Sequence, residues 1–390
     1  MNWVIVTGEY PPDAGGVSDH TRLVAMELSR RGDQVEIWAP GAMAQEAFDS
    51  GIRLHRTPGR FGPSALFRYT WRLLELPENR HFLIQYVPHA FGFKAMNVLF
   101  ALWLKLLPKS RVLVLFHEVA VSMEKIQPIR HRFLAFTTSV MARLVASAGS
   151  RLQVTIPTWI PYLRSMGINK DCSWNPVPTN VVETVSEPDT AEATRLKAGW
   201  STDPDCFVIG HFGTYGKVQR LLLTPALLLC LKRNSDWVFV ALGRNGDEFV
   251  RDLKADHPEF RERVFGFGHR EPNELAKLIE ACDVFLQFYP DGVSSRRGTM
   301  MALLALGRAV ITNSGHLTED FWMQDSIAIV EPTSDPLHAV LAMERLRKEP
   351  ALKARLQSLA KSYYQEHFCL RQNVCRLREE FSASSLAESV

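Results

Sequence analysis

Four short clusters in this 390-residue chain gather residue types able to hold a phosphate or a sugar. The densest is Asp291-Gly292-Val293-Ser294-Ser295-Arg296-Arg297-Gly298-Thr299, ahead of a small-residue helix expected over Thr299–Leu306 with Thr299 as its cap. Two hydroxyls and two guanidiniums, each guanidinium with five N–H donors, make a phosphate cradle there. A second cluster, Gly213-Thr214-Tyr215-Gly216-Lys217-Val218-Gln219-Arg220, opens another expected helix. Its glycines free backbone N–H groups, and Lys217 or Arg220 supplies charge for a diphosphate, the other cation being solvated. The third is Gly15-Gly16 before the helical stretch Val17–Arg31, where amides and a helix N-terminus suit an anion and the plain alternative is a flexible turn. The fourth is His117-Glu118, directly after an apolar run, where a neutral imidazole can meet a sugar hydroxyl or an incoming acceptor.

These clusters sit where strands feed helices. Val4–Thr7 and Val35–Ala39 are apolar runs flanking the Val17–Arg31 helix, which ends at Gly32; this βαβ unit implies a parallel sheet. Further strands are expected at Ile52–Thr57, Phe82–Tyr86, Arg111–Phe116 and Gln153–Ile156, with a helix at Ile129–Ala148. Around Asn175-Pro176-Val177-Pro178 the periodicity breaks, and a polar stretch to Thr194 reads as a linker. A second series comes after it: Phe207–Phe212, Trp237–Leu242, Val264–Phe267, Val284–Phe288 and Ala309–Thr312, continuous apolar runs of strands buried on both faces. The expected architecture is α/β, two Rossmann-like domains spanning 1–178 and 179–366, with a last helix in 367–390 packing back on the first domain. In such sheets ligands bind beyond the carboxyl ends of the strands, which is where all four clusters fall.

Composition narrows the classes. The net charge of +3 and a pI near 8.5 are too mild for a nucleic-acid partner, and no zinc-finger spacing occurs. Six cysteines without a Cys-x-x-Cys pair suit a reducing cytosol and argue against a structural metal. No basic leader precedes the first strand, so the expected location is cytoplasmic. The longest apolar run, Ala95 to Leu107, is too short to span a bilayer. Trp103, Lys105, Arg130, His131 and Arg132, read as exposed, hint at peripheral contact with a membrane face and a lipid-linked acceptor.

With these motifs together, the chain resembles the retaining glycosyltransferases of family 4, which have the GT-B fold, over nearly its whole length. Glu9-Tyr10-Pro11-Pro12 through Gly15-Gly16-Val17 looks like that family's first loop, whose glycines contact the donor diphosphate. His117 falls where the family keeps a histidine near the transferred sugar. Gly266-Phe267-Gly268-His269, the helix Glu274–Ala281 and Cys282-Asp283-Val284-Phe285-Leu286 look like its approach to the donor site, and Ala302 to Ile311 resembles its Glu-Ala-Met-Ala-x-Gly-x-Pro-Val-Ile run. The chain departs at the family's two glutamates, spaced by seven residues. Aligned on Gly307 they fall at Ser294 and Ala302; shifted by three, at Asp291 and Thr299. Neither register supplies the second carboxylate, which in the family binds the nucleotide ribose. The family's arginine after the first glycine of the second domain is Thr214 here.

The resemblance implies a GT-B pair of domains facing across a cleft. It also implies transfer of a sugar from a nucleoside diphosphate to an acceptor hydroxyl with retention, for polysaccharide or glycolipid synthesis. His117, Arg296 and Arg297 are then the catalytic candidates. Gly15, Gly16, Gly213, Thr214, Lys217, Arg220, Asp291, Ser294, Ser295, Gly298 and Thr299 are donor-binding candidates. The first domain offers Tyr86, His89 and Glu118 for a saccharide or lipid-linked acceptor. No cofactor and no metal are expected. Two other classes stay open: a non-catalytic homologue that binds sugar nucleotides, and a sugar-nucleotide epimerase, which would need paired carboxylates.

Overall fold

The computed structural model describes residues 1–13, 15–76, 79–121, 129–181, 190–324, 327–331 and 335–387. Two compact units divide the chain: Met1–Val177 with Leu370–Val390, and Pro178–Cys369. Ala14 of the glycine loop and residues 182–189 of the expected linker lie outside the described residues.

Unit 1 is an eight-stranded sheet. Its strands are β1 (Asn2–Thr7), β2 (Gln34–Pro40), β3 (Gln45–Asp49), β4 (Ile52–Thr57), β5 (Arg80–Tyr86), β6 (Val112–Phe116), β7 (Arg151–Val154) and β8 (Cys172–Trp174), ordered β3-β4-β2-β1-β5-β6-β7-β8. All pairings are parallel except β3 with β4. The central strands are buried along their length because helices cover both faces. On one face lie α2 (Pro63–Glu75), α3 (Val98–Trp103) and α4 (Ile129–Ala148), which pack Tyr69, Phe100, Trp103 and Met141 against Tyr86 and Phe116. On the other, α1 (Gly16–Arg30) sets Val24 and Leu28 against Ile5 and Ile37. A short helix, α5 (Trp159–Ser165), lies between β7 and β8.

Unit 2 opens with α6 (Thr190–Trp200). Its six strands are β9 (Phe207–Phe212), β10 (Trp237–Leu242), β11 (Val264–Phe267), β12 (Val284–Gln287), β13 (Val310–Asn313) and β14 (Ile329–Glu331), ordered β11-β10-β9-β12-β13-β14 and parallel throughout. The later helices of this unit are, in order, α7 (Lys217–Arg233), α8 (Gly246–Asp256), α9 (Pro272–Glu280), α10 (Gly298–Ala305), α11 (Phe321–Gln324), α12 (Pro336–Lys348) and α13 (Pro350–Tyr363). Proline at the first turn of α9, α12 and α13 is pre-set for a helix start, and Asp335 caps α12 by accepting from the Leu337 and His338 amides.

The last helix, α14 (Leu370–Ala387), belongs to unit 1. Leu370, Val374, Leu377 and Phe381 fill the core beneath α1, with Phe381 edge-on to Trp3 at 5.4 Å. Buried Asn373 donates to Asn175 Oδ1 (2.8 Å) and to the Pro176 carbonyl (2.9 Å).

Several sequence expectations need correction. The Ala95–Leu107 run folds as the short helix α3, Val98–Trp103, flanked by 3-10 turns. Trp103 is buried and donates to Thr70 Oγ1 at 2.8 Å, so it is not exposed; His131 is half-buried, while Lys105, Arg130 and Arg132 do face solvent. Among the described residues no helix is long and apolar enough to cross a membrane. Thr299 does not cap α10. That helix starts one residue earlier with Arg297 at the cap position, and the Thr299 hydroxyl bonds the Tyr289 hydroxyl (2.9 Å).

Candidate functional site

In unit 1 the candidates cluster at the carboxyl ends of β1, β5 and β6. The loop after β1 is tied down on both flanks. The Thr7 hydroxyl donates to the Glu9 carbonyl (2.8 Å), and Tyr10 donates to Asp49 (2.8 Å), which also receives Arg22 (2.8 and 3.2 Å). Arg56 reaches the Pro11 and Pro40 carbonyls. A Cβ on Gly8 would lie 2.5 Å from that of Ala90, so the loop passes backbone-close to the Pro88–Phe91 turn. A Cβ on Gly15 would meet the Glu9 carboxylate at 2.5 Å, whereas Gly16, at the first turn of α1, faces open space. Glu9 therefore lies at the α1 N-terminus, where an anion is favoured.

His117 is anchored by its amide to the Tyr86 carbonyl (3.0 Å), and its Nε2 lies 2.6 Å from Gln85 Oε1. Burial holds its pKa well below the ordinary histidine value, with His20 adding to the shift. The imidazole is thus neutral. With Gln85 Oε1 as acceptor, the proton sits on Nε2 and Nδ1 is left to accept. The His20 ring stands edge-on at 4.9 Å. His20 is buried, neither ring nitrogen meets a partner in hydrogen-bond geometry among the described residues, and burial, partly offset by the nearby Gln85 amide, pushes its pKa down to about 4. No sequence cluster pointed to His20. The signal available was a histidine on the inward stripe of α1, four residues after Gly16.

His89 Nδ1 sits 3.6 Å from Glu118, both side chains well exposed, and the Glu118 carboxylate raises the imidazole pKa. Tyr86 does not join them. Its ring is wholly buried against Phe91 and Phe116, which makes it a core residue rather than a wall of an acceptor pocket, and its hydroxyl has no partner among the described residues.

In unit 2 the candidates lie at the ends of β9, β12 and β13. After β9, Gly213 is fixed by its amide on the Leu242 carbonyl (3.0 Å), and Tyr215, buried at φ 53°, donates to the His211 carbonyl (2.8 Å). Thr214 is exposed, and Gly216 precedes α7 with open space at its Cβ. The two cations differ. Arg220 is held by Asp252 (2.7 Å), Glu248 (3.3 Å) and the Tyr215 carbonyl (2.9 Å). Lys217 is exposed with no ion pair among the described residues. It is the cation left to meet a ligand.

After β12 the chain makes a compact arginine cradle. Asp291 Oδ2 accepts from Arg296 (3.1 Å) and from Arg297 (2.8 Å), and the Arg297 guanidinium lies 5.0 Å over the Tyr289 ring. Two cations on one carboxylate leave a net positive charge beside the α10 N-terminus, where Gly298 is exposed. Burial, then the neighbouring Arg296, lowers the Arg297 pKa, as expected of a desolvated cation near its own kind. Gly292, at φ 83°, and Gly315 are pressed together: a Cβ on Gly315 would fall 2.4 Å from the Asp291 backbone, so this turn admits no side chain.

The serines behave unlike the arginines. Ser294 is wholly buried with no partner for its hydroxyl among the described residues. Ser295 gives both its amide (2.9 Å) and its hydroxyl to Glu319, which also accepts from Trp322 Nε1 (2.8 Å). Glu319, which sequence reasoning missed, is a buried carboxylate whose pKa burial raises. It braces the loop into α10, and both its oxygens are engaged. Among the described residues no group of three or more histidine, cysteine or acidic side chains is placed to hold a metal ion.

No family model and no curated protein matches the chain. Solved structures do. The sucrose-phosphate synthase of Thermosynechococcus elongatus superposes with a TM-score of 0.71 at 16% identity, covering 99% of this chain and 100% of that one. HepE of Anabaena, solved in complex with UDP and glucose, gives 0.68 at 15% identity over 98% and 99%. WaaG, a glycosyltransferase involved in lipopolysaccharide biosynthesis, gives 0.64 at 14% identity over 95% and 98%. Two parallel α/β units, matched along their full length by such structures, give this chain the GT-B glycosyltransferase fold.

Proposed function

We propose that the protein is a glycosyltransferase akin to the retaining enzymes of family 4. It moves a sugar from a nucleoside diphosphate to an acceptor hydroxyl in polysaccharide or glycolipid synthesis. The observation that carries this reading is the pair Arg296 and Arg297, gathered on Asp291 at the mouth of α10. Fixed donors aimed where charge develops are what departure of a diphosphate requires. Solved structures of the same fold with UDP bound make uridine diphosphate sugars the first donors to try.

In this reading the bond from the anomeric carbon to the diphosphate oxygen breaks. The acceptor oxygen bonds to that carbon on the same face, and its proton passes to the departing phosphate oxygen. Within unit 2 the guanidiniums, Lys217 and Gly298 stabilise the leaving group without a metal or cofactor; within unit 1 the Gly15–Gly16 amides are an anion site of their own. His117, neutral and with Nδ1 open, accepts a hydroxyl of the transferred sugar. His89 and Glu118 flank the acceptor. Gly213 and Thr214 line the donor side, while Ser294, Ser295 and Thr299 shape the loop rather than touch phosphate.

A second reading is a non-catalytic homologue that binds sugar nucleotides or acts as a scaffold: Glu319, the buried carboxylate beside α10, is held by Ser295 and Trp322 and so does not stand in for the acid that the chain lacks there. Thermal shift with UDP-, GDP-, ADP- and TDP-sugars, followed by donor hydrolysis, separates the two. Replacing Arg296 and Arg297 together by alanine is expected to lower turnover by about 100-fold or more. Binding without hydrolysis selects the second reading, and unchanged kinetics of the double variant remove the arginines from the mechanism.

A further inference from the structure

We propose that the outer face of α2, α3 and α4 docks on an anionic lipid bilayer, an inference that stands whether or not the proposed reaction is right.

A surface helix ordinarily buries one apolar stripe and turns polar residues outward. These three helices carry a second apolar stripe. α2 buries Ala65, Leu66 and Tyr69, yet exposes Phe67, Trp71 and Leu74 at spacing i, i+4, i+7. α4 repeats that spacing with Ile129, Phe133 and Phe136 while burying Ala135, Thr138 and Met141. Between them, α3 and its following turn expose Leu99, Leu102 and Leu106. Exposure on these stripes runs from 46% at Leu102 to 84% at Ile129. The helices neighbour one another on one side of the sheet, α3 touching both α2 and α4, so the stripes join into one patch. Soluble surfaces rarely leave so many large apolar side chains together.

Charge says what covers it. From Pro63 to Ala148, the stretch that carries all three helices, there are 11 Lys and Arg against 4 Asp and Glu, a net of +7, whereas the whole chain carries +3 and the rest is therefore −4. On the patch itself Arg68, Lys94, Lys105, Arg130 and Arg132 are exposed and form no ion pair among the described residues. Neither α3 nor α4 contains an acid, and Glu75 at the end of α2 faces Arg72 at 3.3 Å. Aromatic rings interleaved with unpaired cations fit the interface of a bilayer rich in anionic headgroups. A second copy would set basic residues against basic residues, so self-association is disfavoured. α2 and α4 both begin at the carboxyl end of the sheet, the end that holds His117 and Gly16. A bilayer seated there adjoins that end.

The test is co-sedimentation of the full chain with vesicles of equimolar phosphatidylglycerol and phosphatidylcholine, and with phosphatidylcholine alone, at low and high salt. Binding is expected to favour the anionic vesicles by about tenfold or more and to weaken with salt, each basic residue contributing about fivefold. The triple variant Phe67→Ser, Trp71→Ser, Phe133→Ser should lose binding by about tenfold or more with an unchanged melting temperature, since all three side chains face solvent. Arg130→Ala with Arg132→Ala should weaken only the anionic arm. Failure of the native chain to bind anionic vesicles at low salt, or equal binding by the triple variant, overturns the proposal. So does light scattering that shows a native dimer, dissolved by the same triple variant, with no vesicle binding.

Discussion

At the scale of single residues, the buried histidines and Glu319 make the sharpest predictions. His20 is neutral because its pKa falls from the ordinary 6.5 to about 4 on folding. The unfolded chain therefore binds more protons between these values, so stability is complete above pH 6.5 and falls as pH drops toward 4. The shift is worth about 3 kcal/mol at one residue, at 1.36 kcal/mol per unit. His20→Gln is expected to flatten the dependence of melting temperature on pH across that window, and an unchanged slope would deny His20 the role. Glu319→Gln turns an amide N–H toward the Ser295 amide and the Trp322 indole, two donors facing a donor. A loss of about 1–3 kcal/mol in denaturant unfolding is expected. His117 was legible because it comes directly after an apolar strand. His20 and Glu319 were not, since each matters through a partner far away in sequence, Gln85 or His117 for one and Ser295 for the other.

At the scale of elements, legibility tracked local pattern. β9 and β10 occupy the residues their apolar runs mark out, because a strand buried on both faces writes its extent in its own composition. β11 matches its apolar run too, although it lies at the sheet edge and only Val264 of it is fully buried, so the expectation of burial on both faces does not hold for it. The edge strands β3, β8 and β14 left no such trace. Gln45–Asp49 carries two acids and a glutamine, Cys172–Trp174 and Ile329–Glu331 have three residues each, and all exist by pairing with one neighbour. The loop into α10 was read as a row of ligand donors. The fold instead divides it: the arginines are partly buried on Asp291 and Gly298 is exposed, while the serines are drawn fully inward by burial and by Glu319. The Asn373 bridge to Asn175 and Pro176 is a buried network with little room to relax. Asn373→Leu should cost about 1–3 kcal/mol and Phe381→Ala about 3–5 kcal/mol, both measurable by equilibrium unfolding.

At the scale of the whole molecule, acid is the expected weakness. Burial depresses His81 to about 4 and His211 to about 3, as it does His20, and these groups lie in both units. Each contribution runs the same way, lost as pH falls below 6.5 toward the folded values. Glu36, held near 2 by His55, Trp38 and Arg72 despite its burial, adds a further loss between 4.5 and 2. Urea unfolding at pH 7 and pH 5 should show a lower midpoint at pH 5 with little change in slope. Equal midpoints would mean the histidines are as hydrated when folded as when unfolded.

The docking of α14 beside β1 and α1 has a consequence for synthesis. The segment Pro178–Cys369 is continuous, so it can fold while the ribosome still holds the last helix. The first sheet is translated earlier, but the core that Trp3, Val24 and Leu28 share with Leu370, Val374, Leu377 and Phe381 stays incomplete until residues near Phe381 have left the exit tunnel. The unit begun first is therefore completed only after the second has been made, and the nascent chain carries an open apolar seam until α14 arrives.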